Sequence, residues 1–139
     1  MKAYIDSNII IDVLQNREPF FKESYQIIRL GLEGRIETLV SASDITNVYY
    51  IVRKFIHDPV ITREKIHLLS NFVNICACTP EDVNKALVLF MPDFEDAVIA
   101  AAAKREKADY IITRNTDDFA DSPVPAISPS QFLYQLNAF

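Results

Sequence analysis

The chain has 139 residues, of which 50% are hydrophobic and 24% charged, with a formal net charge of −5. This balance excludes a disordered chain and leaves room for one core, so a single domain over residues 1–139 is expected. The negative charge excludes a protein whose main task is to coat nucleic acid through a basic surface, but not one that approaches phosphate through bound cations, because metals reverse the sign of a carboxylate site.

No apolar run approaches the roughly 20 residues of a membrane span. The start, Met1-Lys2-Ala3-Tyr4-Ile5-Asp6, meets an acid before any signal-like stretch develops, so a cytoplasmic location without membrane contact is expected. There are only two glycines, Gly31 and Gly34, close together at a predicted helix end. A phosphate-cradling loop or a dinucleotide fingerprint needs several glycines after a strand, which excludes both. Cys76 and Cys78 have no further Cys or His at ligand spacing and read as reduced, half-buried residues.

In chain order, Ala3 to Ile5 reads as a strand feeding Asp6, and Asn8 to Leu14 as a helix. Phe20 to Leu32 has helical spacing, Thr38 to Val40 is a short strand, and Ser43 to Phe55 and Ile61 to Asn71 are helical. Val73 to Cys78 is the next strand. Thr79-Pro80-Glu81-Asp82 opens a helix running to about Phe90, with Thr as cap and Pro at the first helical position. Asp93 to Lys107 is helical, Tyr110 to Thr113 a strand, Ala126-Ile127 a last strand, and Ser128-Pro129-Ser130-Gln131 caps a final helix. Alternating strands and helices predict a three-layer α/β/α fold around a mainly parallel sheet. Ligands bind such sheets at the carboxyl ends of the strands, where strand order reverses.

Three acidic segments fall where such a site would form. Asp6 directly follows a strand, although an Asp before a helix is also an ordinary cap. Asp93-Phe94-Glu95-Asp96 puts Asp93 and Asp96 on one helical face; a capping pair explains them equally, except that Ala100 to Ala103 would draw this helix start deep into the fold. Thr113-Arg114-Asn115-Thr116-Asp117-Asp118-Phe119 leaves a strand and turns, so that Asn115 and Asp118 can point back over the sheet edge or sit in a solvated turn. Glu37, Glu64 and Glu106 read as solvated, and His57 and His67 as half-exposed helix residues. Separated Asp residues without a Ser-His-Asp or Cys-His set suit hard cations held by oxygen.

The order of these pieces resembles PIN-domain ribonucleases, including VapC-type toxins of toxin–antitoxin pairs. The matching segments are Tyr4-Ile5-Asp6-Ser7-Asn8, Val40-Ser41-Ala42 before a helix, Asp93-Phe94-Glu95-Asp96-Ala97, and Tyr110-Ile111-Ile112-Thr113-Arg114-Asn115 before Asp118-Phe119. The resemblance implies RNA cleavage with Mg²⁺ or Mn²⁺ held by acids. Asp6 matches the first acid, Asp96 the third and Asp118 the fourth, with Thr113 and Asn115 in support and Asp93 contributing through water or behind the ligands. At the second position, where many relatives carry Glu or Asp, this chain has Asn47, an uncharged ligand; Asp44, three residues earlier on the same face, can compensate. Arg114, Arg53 and Lys54 are candidate phosphate contacts. The expected partners are RNA, an antitoxin protein and a second copy in a homodimer. The main alternative is a degenerate PIN domain that binds RNA or protein without cutting, favoured by Asn47. A receiver or a haloacid-dehalogenase-like phosphatase fits less well, since Asp6 lacks an Asp-x-Asp partner.

Overall fold

Among the described residues five short strands pair in the order β3-β2-β1-β4-β5, every pairing parallel. They are β1 (Lys2–Ile5), β2 (Glu37–Ser41), β3 (Asn74–Cys76), β4 (Tyr110–Ile112) and β5 (Ala126–Ile127). This is a computed structural model that describes residues 1–137; the last two residues of the predicted domain lie outside them. Parallel strands need crossovers, supplied by α1 (Ser7–Leu14), α2 (Phe21–Leu32), α3 (Ala42–Ile56), α4 (Pro59–Leu69), α5 (Pro80–Ala86) and α6 (Phe94–Arg105), with α7 (Pro129–Gln135) closing the described chain.

Side-chain alternation along the strands divides the core in two. Ala3, Ile5, Val40 and Ile112 face a core shared with α1 to α4 and α7. Tyr4, Leu39 and Ile111 face the opposite one, built with Ile99, Ala100 and Ala103 of α6. The sheet is therefore the middle of three layers, as predicted. Ile5, Ile9, Ile10, Ile27, Ile111 and Ile112 are wholly buried, each contributing about 1.5–3 kcal/mol of apolar transfer. Small side chains at Ala100 to Ala103, all buried, let the α6 backbone approach the sheet closely. Among the described residues no helix is long and apolar enough to cross a membrane.

Two boundaries differ from expectation. The helix opened by Thr79 ends at Ala86, not near Phe90. Beyond it the backbone tightens into shorter bonds such as Val88 N to Lys85 O, while Val88 and Phe90 are 83% and 90% exposed. An apolar period lengthens a helix only when one face of it is buried, and here only Leu89 and Met91 pack on the core while Leu87, Val88 and Phe90 point outward. The strand predicted through Cys78 stops at Cys76 on the sheet edge, and both cysteines are free and half-buried.

The strand order locates the binding crevice. The chain moves outward from β1 to β2 and β3, then crosses back to lay β4 on the other side of β1. Order therefore reverses between β1 and β4, and a crevice opens at their carboxyl ends. This 3-2-1-4-5 order also differs from the 2-1-3-4-5 order of flavodoxin-like folds, which removes the receiver alternative.

Candidate active site

Asp6 is the first residue after β1, and its N–H donates to the carbonyl of Ile112, the last residue of β4 (3.0 Å). Its carboxylate is bound from several directions: Ser7 N–H to Oδ1 at 2.8 Å, Thr113 Oγ1 to Oδ2 at 2.7 Å, and Asn8 Nδ2 to Oδ2 at 3.4 Å. Asp6 thus caps α1, as the capping reading had it, and also sits at the switch point with only 6% exposure. Burial raises its carboxyl above the ordinary value. The Thr113 and Ser7 hydrogen bonds oppose that rise, and the charge of Glu95 adds to it.

Asp93 caps α6 by accepting from Asp96 N–H (2.9 Å), which places the Asp96 carboxylate in the first turn of a helix drawn close to the sheet. Burial, then the charges of Asp93, Asp6, Asp118 and Glu95, push the Asp96 carboxyl up to about 7. These acids, from three distant segments, therefore sense one another at one end of the sheet. Asp118 stands exposed in the 3-10 turn Thr116–Phe119, held by its N–H to the Asn115 carbonyl (3.1 Å), while Asn115 N–H donates to Thr113 Oγ1 (3.0 Å).

Asn47 and Asp44 lie on α3. Asn47 donates its side-chain amide to Glu95 Oε1 at 3.3 Å, an acid that the motif reading passed over although it lies inside the Asp93–Asp96 segment. Asp44 is buried and accepts from the Tyr4 hydroxyl, which in turn accepts from Ser41 N–H. Burial lifts the Asp44 carboxyl to about 6; the Tyr4 hydrogen bond opposes this, and the charges of Asp6 and Glu95 reinforce it. The Tyr4 hydroxyl is itself pushed well above its usual range by burial and by Asp44.

Arg114 is placed otherwise than expected. Its guanidinium grips Asp12 with two bonds, Nε to Oδ2 at 2.8 Å and Nη2 to Oδ1 at 3.0 Å, and lies 3.9 Å from the Phe20 ring centroid. It is paired through Nε and Nη2 and stacked on the ring, with 23% of the side chain still exposed. Asp12 was missed by the sequence reading; the signal was a lone acid inside the apolar run Ile9-Ile10-Ile11-Asp12-Val13-Leu14. Arg53 and Lys54 are exposed in the last turn of α3, with Lys54 Nζ 4.8 Å from the Tyr50 ring centroid. Glu37 and Glu64 are exposed, whereas Glu106, expected to be solvated, is half-buried and bonded to Arg105 (2.8 Å). Asp82 does more than cap α5: it is fully buried and also bonded by Arg105 Nε (2.9 Å).

The donor chemistry fits a hard divalent cation. Asp6, Asp44, Glu95, Asp96 and Asp118 supply oxygen only, and their charges act on one another across the crevice. Among the described residues no three His, Cys, Asp or Glu side chains stand already arranged as a metal cage.

A parallel 3-2-1-4-5 sheet with acids gathered at its switch point defines a small α/β domain with an acidic, oxygen-lined site. A family model described as PIN domain matches residues 2–117, and the chain belongs to the PIN domain family. Ribonuclease VapC1 of Aquifex aeolicus is 28% identical over 141 residues, covering 98% of this chain and 96% of that protein. A solved toxin–antitoxin complex from Klebsiella pneumoniae contains a chain 26% identical, with a TM-score of 0.69, covering 91% of this chain and 97% of that one. In fold, the chain is also similar to VapBC2 from Rickettsia felis (TM-score 0.73, 16% identity, covering 92% and 98%).

Proposed function

We propose that this protein is a divalent-metal-dependent endoribonuclease acting as the toxin of a toxin–antitoxin pair. The observation that carries the reading is that Asp6 sits buried at the β1–β4 switch point and that its charge and that of Asp118, from segments more than a hundred residues apart at their extremes, both act on Asp96. The naming of the Aquifex relative as a ribonuclease and of the Klebsiella structure as a toxin–antitoxin complex supports it. The protein works in the cytoplasm as a homodimer and is held in check by an antitoxin chain.

In this reading Asp6, Asp96 and Asp118 hold Mg²⁺ or Mn²⁺, with Asp93 fixing the start of α6 behind Asp96. A cation held by these residues would offset charge on the phosphate oxygens and lower the pKa of the attacking water. The water gives up a proton as its oxygen bonds to phosphorus, the bond to the leaving sugar oxygen breaks, and that oxygen takes up a proton, so that the net change is the addition of one water across the phosphodiester. Thr113 and Ser7 N–H orient Asp6 by their hydrogen bonds. Asn47 adds no charge but holds Glu95 by its amide, so Glu95 and Asp44 make up only part of the charge missing at position 47. The neutral residue weakens metal affinity without abolishing cleavage.

The decisive experiment measures RNA cleavage in Mn²⁺ or Mg²⁺, in EDTA, and after Asp96→Asn in a protein shown to be folded. Loss of cleavage in both conditions is expected, since Asn preserves helix-start geometry while removing the charge. Cleavage that survives both would reject the mechanism, and RNA binding without cleavage across a varied panel would identify a degenerate binder. Co-purification with the product of an adjoining reading frame, releasing activity on its removal, tests the toxin assignment.

A further inference from the structure

The acidic site leaves one buried charge unexplained. Asp12 is wholly enclosed, yet it lies on the core side of α1 and not in the crevice. Besides the two bonds from Arg114 it accepts from Ser24 Oγ at 3.1 Å, and Arg17 Nη1 stands 3.7 Å away. Its polar atoms are therefore fully engaged, and Arg114 is clamped between this carboxylate and the face of Phe20. A buried ion pair carries a desolvation cost that an apolar pair would not, and what distinguishes it from such a pair is the direction of its bonds.

The use of that direction is visible in the neighbours of Arg114. Thr113 carries the hydroxyl that donates to Asp6, and Asn115 carries the carbonyl that holds Asp118 N–H. Arg114 N–H also reaches Asn8 Oδ1 (3.5 Å), while Asn8 Nδ2 lies 3.3 Å from Thr113 Oγ1. The side chain that α1 and α2 hold by Asp12, Ser24 and Phe20 thus belongs to the middle residue of the turn bearing two groups of the site. A forked guanidinium bonded through two nitrogens fixes orientation as well as distance, which a lysine point charge does not.

We propose that Asp12 and Arg114 are positioning residues of the acidic site, their two-pronged ion pair holding the turn so that Thr113 keeps its hydroxyl on Asp6 and Asn115 holds Asp118 in place. They touch neither substrate nor metal. The kinetic consequence rests on the ribonuclease reading, whereas the positioning itself does not.

The test uses Arg114→Lys and the milder Ser24→Ala, which removes one hydrogen bond to Asp12 without unpairing its charge. Single-turnover cleavage should fall about ten- to a hundredfold in Arg114→Lys and by less in Ser24→Ala, with the RNA concentration for half-saturation unchanged. Adding Thr113→Val to Arg114→Lys should cost little more than either change alone, because both act through Asp6. Amide resonances of Asp6, Asn115 and Asp118 should shift in the metal-free variants, while those of α5 stay in place. Unchanged rates in both variants, or losses that multiply with Thr113→Val, would overturn the proposal. So would a salt dependence of RNA binding reduced by about 0.7 in logarithmic slope, since that marks a direct phosphate contact. If the wild type cuts no RNA, the ribonuclease reading fails by itself, and the amide shifts decide the positioning: shifts confined to α1 and Phe20 would refute it. Should Arg114→Lys fail to fold, Ser24→Ala decides by the same readouts.

Discussion

Asn47 on α3 donates its side-chain amide to Glu95 on α6, bridging two helices across the mouth of the acidic crevice at 3.3 Å. Replacing the amide by a carboxylate would set two like charges at that distance. Asn47→Asp should therefore cost the metal-free fold up to about 1 kcal/mol, the pair being partly exposed, while tightening Mn²⁺ binding. Calorimetry alongside thermal melts with and without Mn²⁺ reads both effects. Weaker or unchanged metal binding in a folded variant would mean that Glu95 and Asp44 already satisfy the cation.

Tyr4 reaches from the centre of the sheet to Asp44 and accepts from Ser41 N–H, so one hydroxyl serves two otherwise buried groups. Tyr4→Phe keeps the ring and removes those partners. A loss of about 1–3 kcal/mol is expected in urea unfolding, the cost of leaving buried polar groups unsatisfied. A cost below a few tenths would show that water replaces the hydroxyl.

With Arg114 paired internally, Lys54 is the better placed of the candidate phosphate contacts. It shares a face of α3 with Asn47, two turns earlier, and stands over the exposed ring of Tyr50. Lys54→Ala should lower the logarithmic salt slope of single-stranded RNA binding by about 0.7 and leave the saturated cleavage rate unaltered. Tyr50→Ala should weaken binding without changing that slope, as expected for a stacking surface. An unaltered slope in Lys54→Ala would remove α3 from the RNA path.

Arg105 ties the end of α6 to the start of α5 through Asp82 and the Ala77 carbonyl. Burial by itself would raise the Asp82 carboxyl, but the Arg105 and Thr79 hydrogen bonds outweigh it and hold the group below its ordinary value. A carboxyl with a depressed folded-state pKa contributes stability above its unfolded pKa and loses it as pH falls through the folded value. Asp82→Asn should thus destabilise by about 1–3 kcal/mol at about pH 7, the gap to wild type closing in acid, as pH falls through the depressed folded-state value. Denaturant titrations at neutral and acid pH check this, and a gap independent of pH would place the loss in packing.

The order of strands and helices was legible in the sequence because periodicity and caps are local: Thr79, Asp93 and Ser128 each announce a helix start in the four residues that form it. Asp6, Asp96 and Asp118 stand after a strand or at the opening of a helix or turn, positions that suit caps equally well, so it was the resemblance to PIN-domain ribonucleases that singled them out. Tertiary structure decided which side chains answer one another. Nothing near Asn47 in the sequence identifies Glu95 as its partner, and nothing near Arg114 points to Asp12, 102 positions earlier. A buried charge takes whichever opposite group the packing of helices brings within reach. That outcome depends on crossover geometry over the whole sheet, so a charge that reads as a free phosphate contact from its neighbours becomes, once folded, a brace inside the protein.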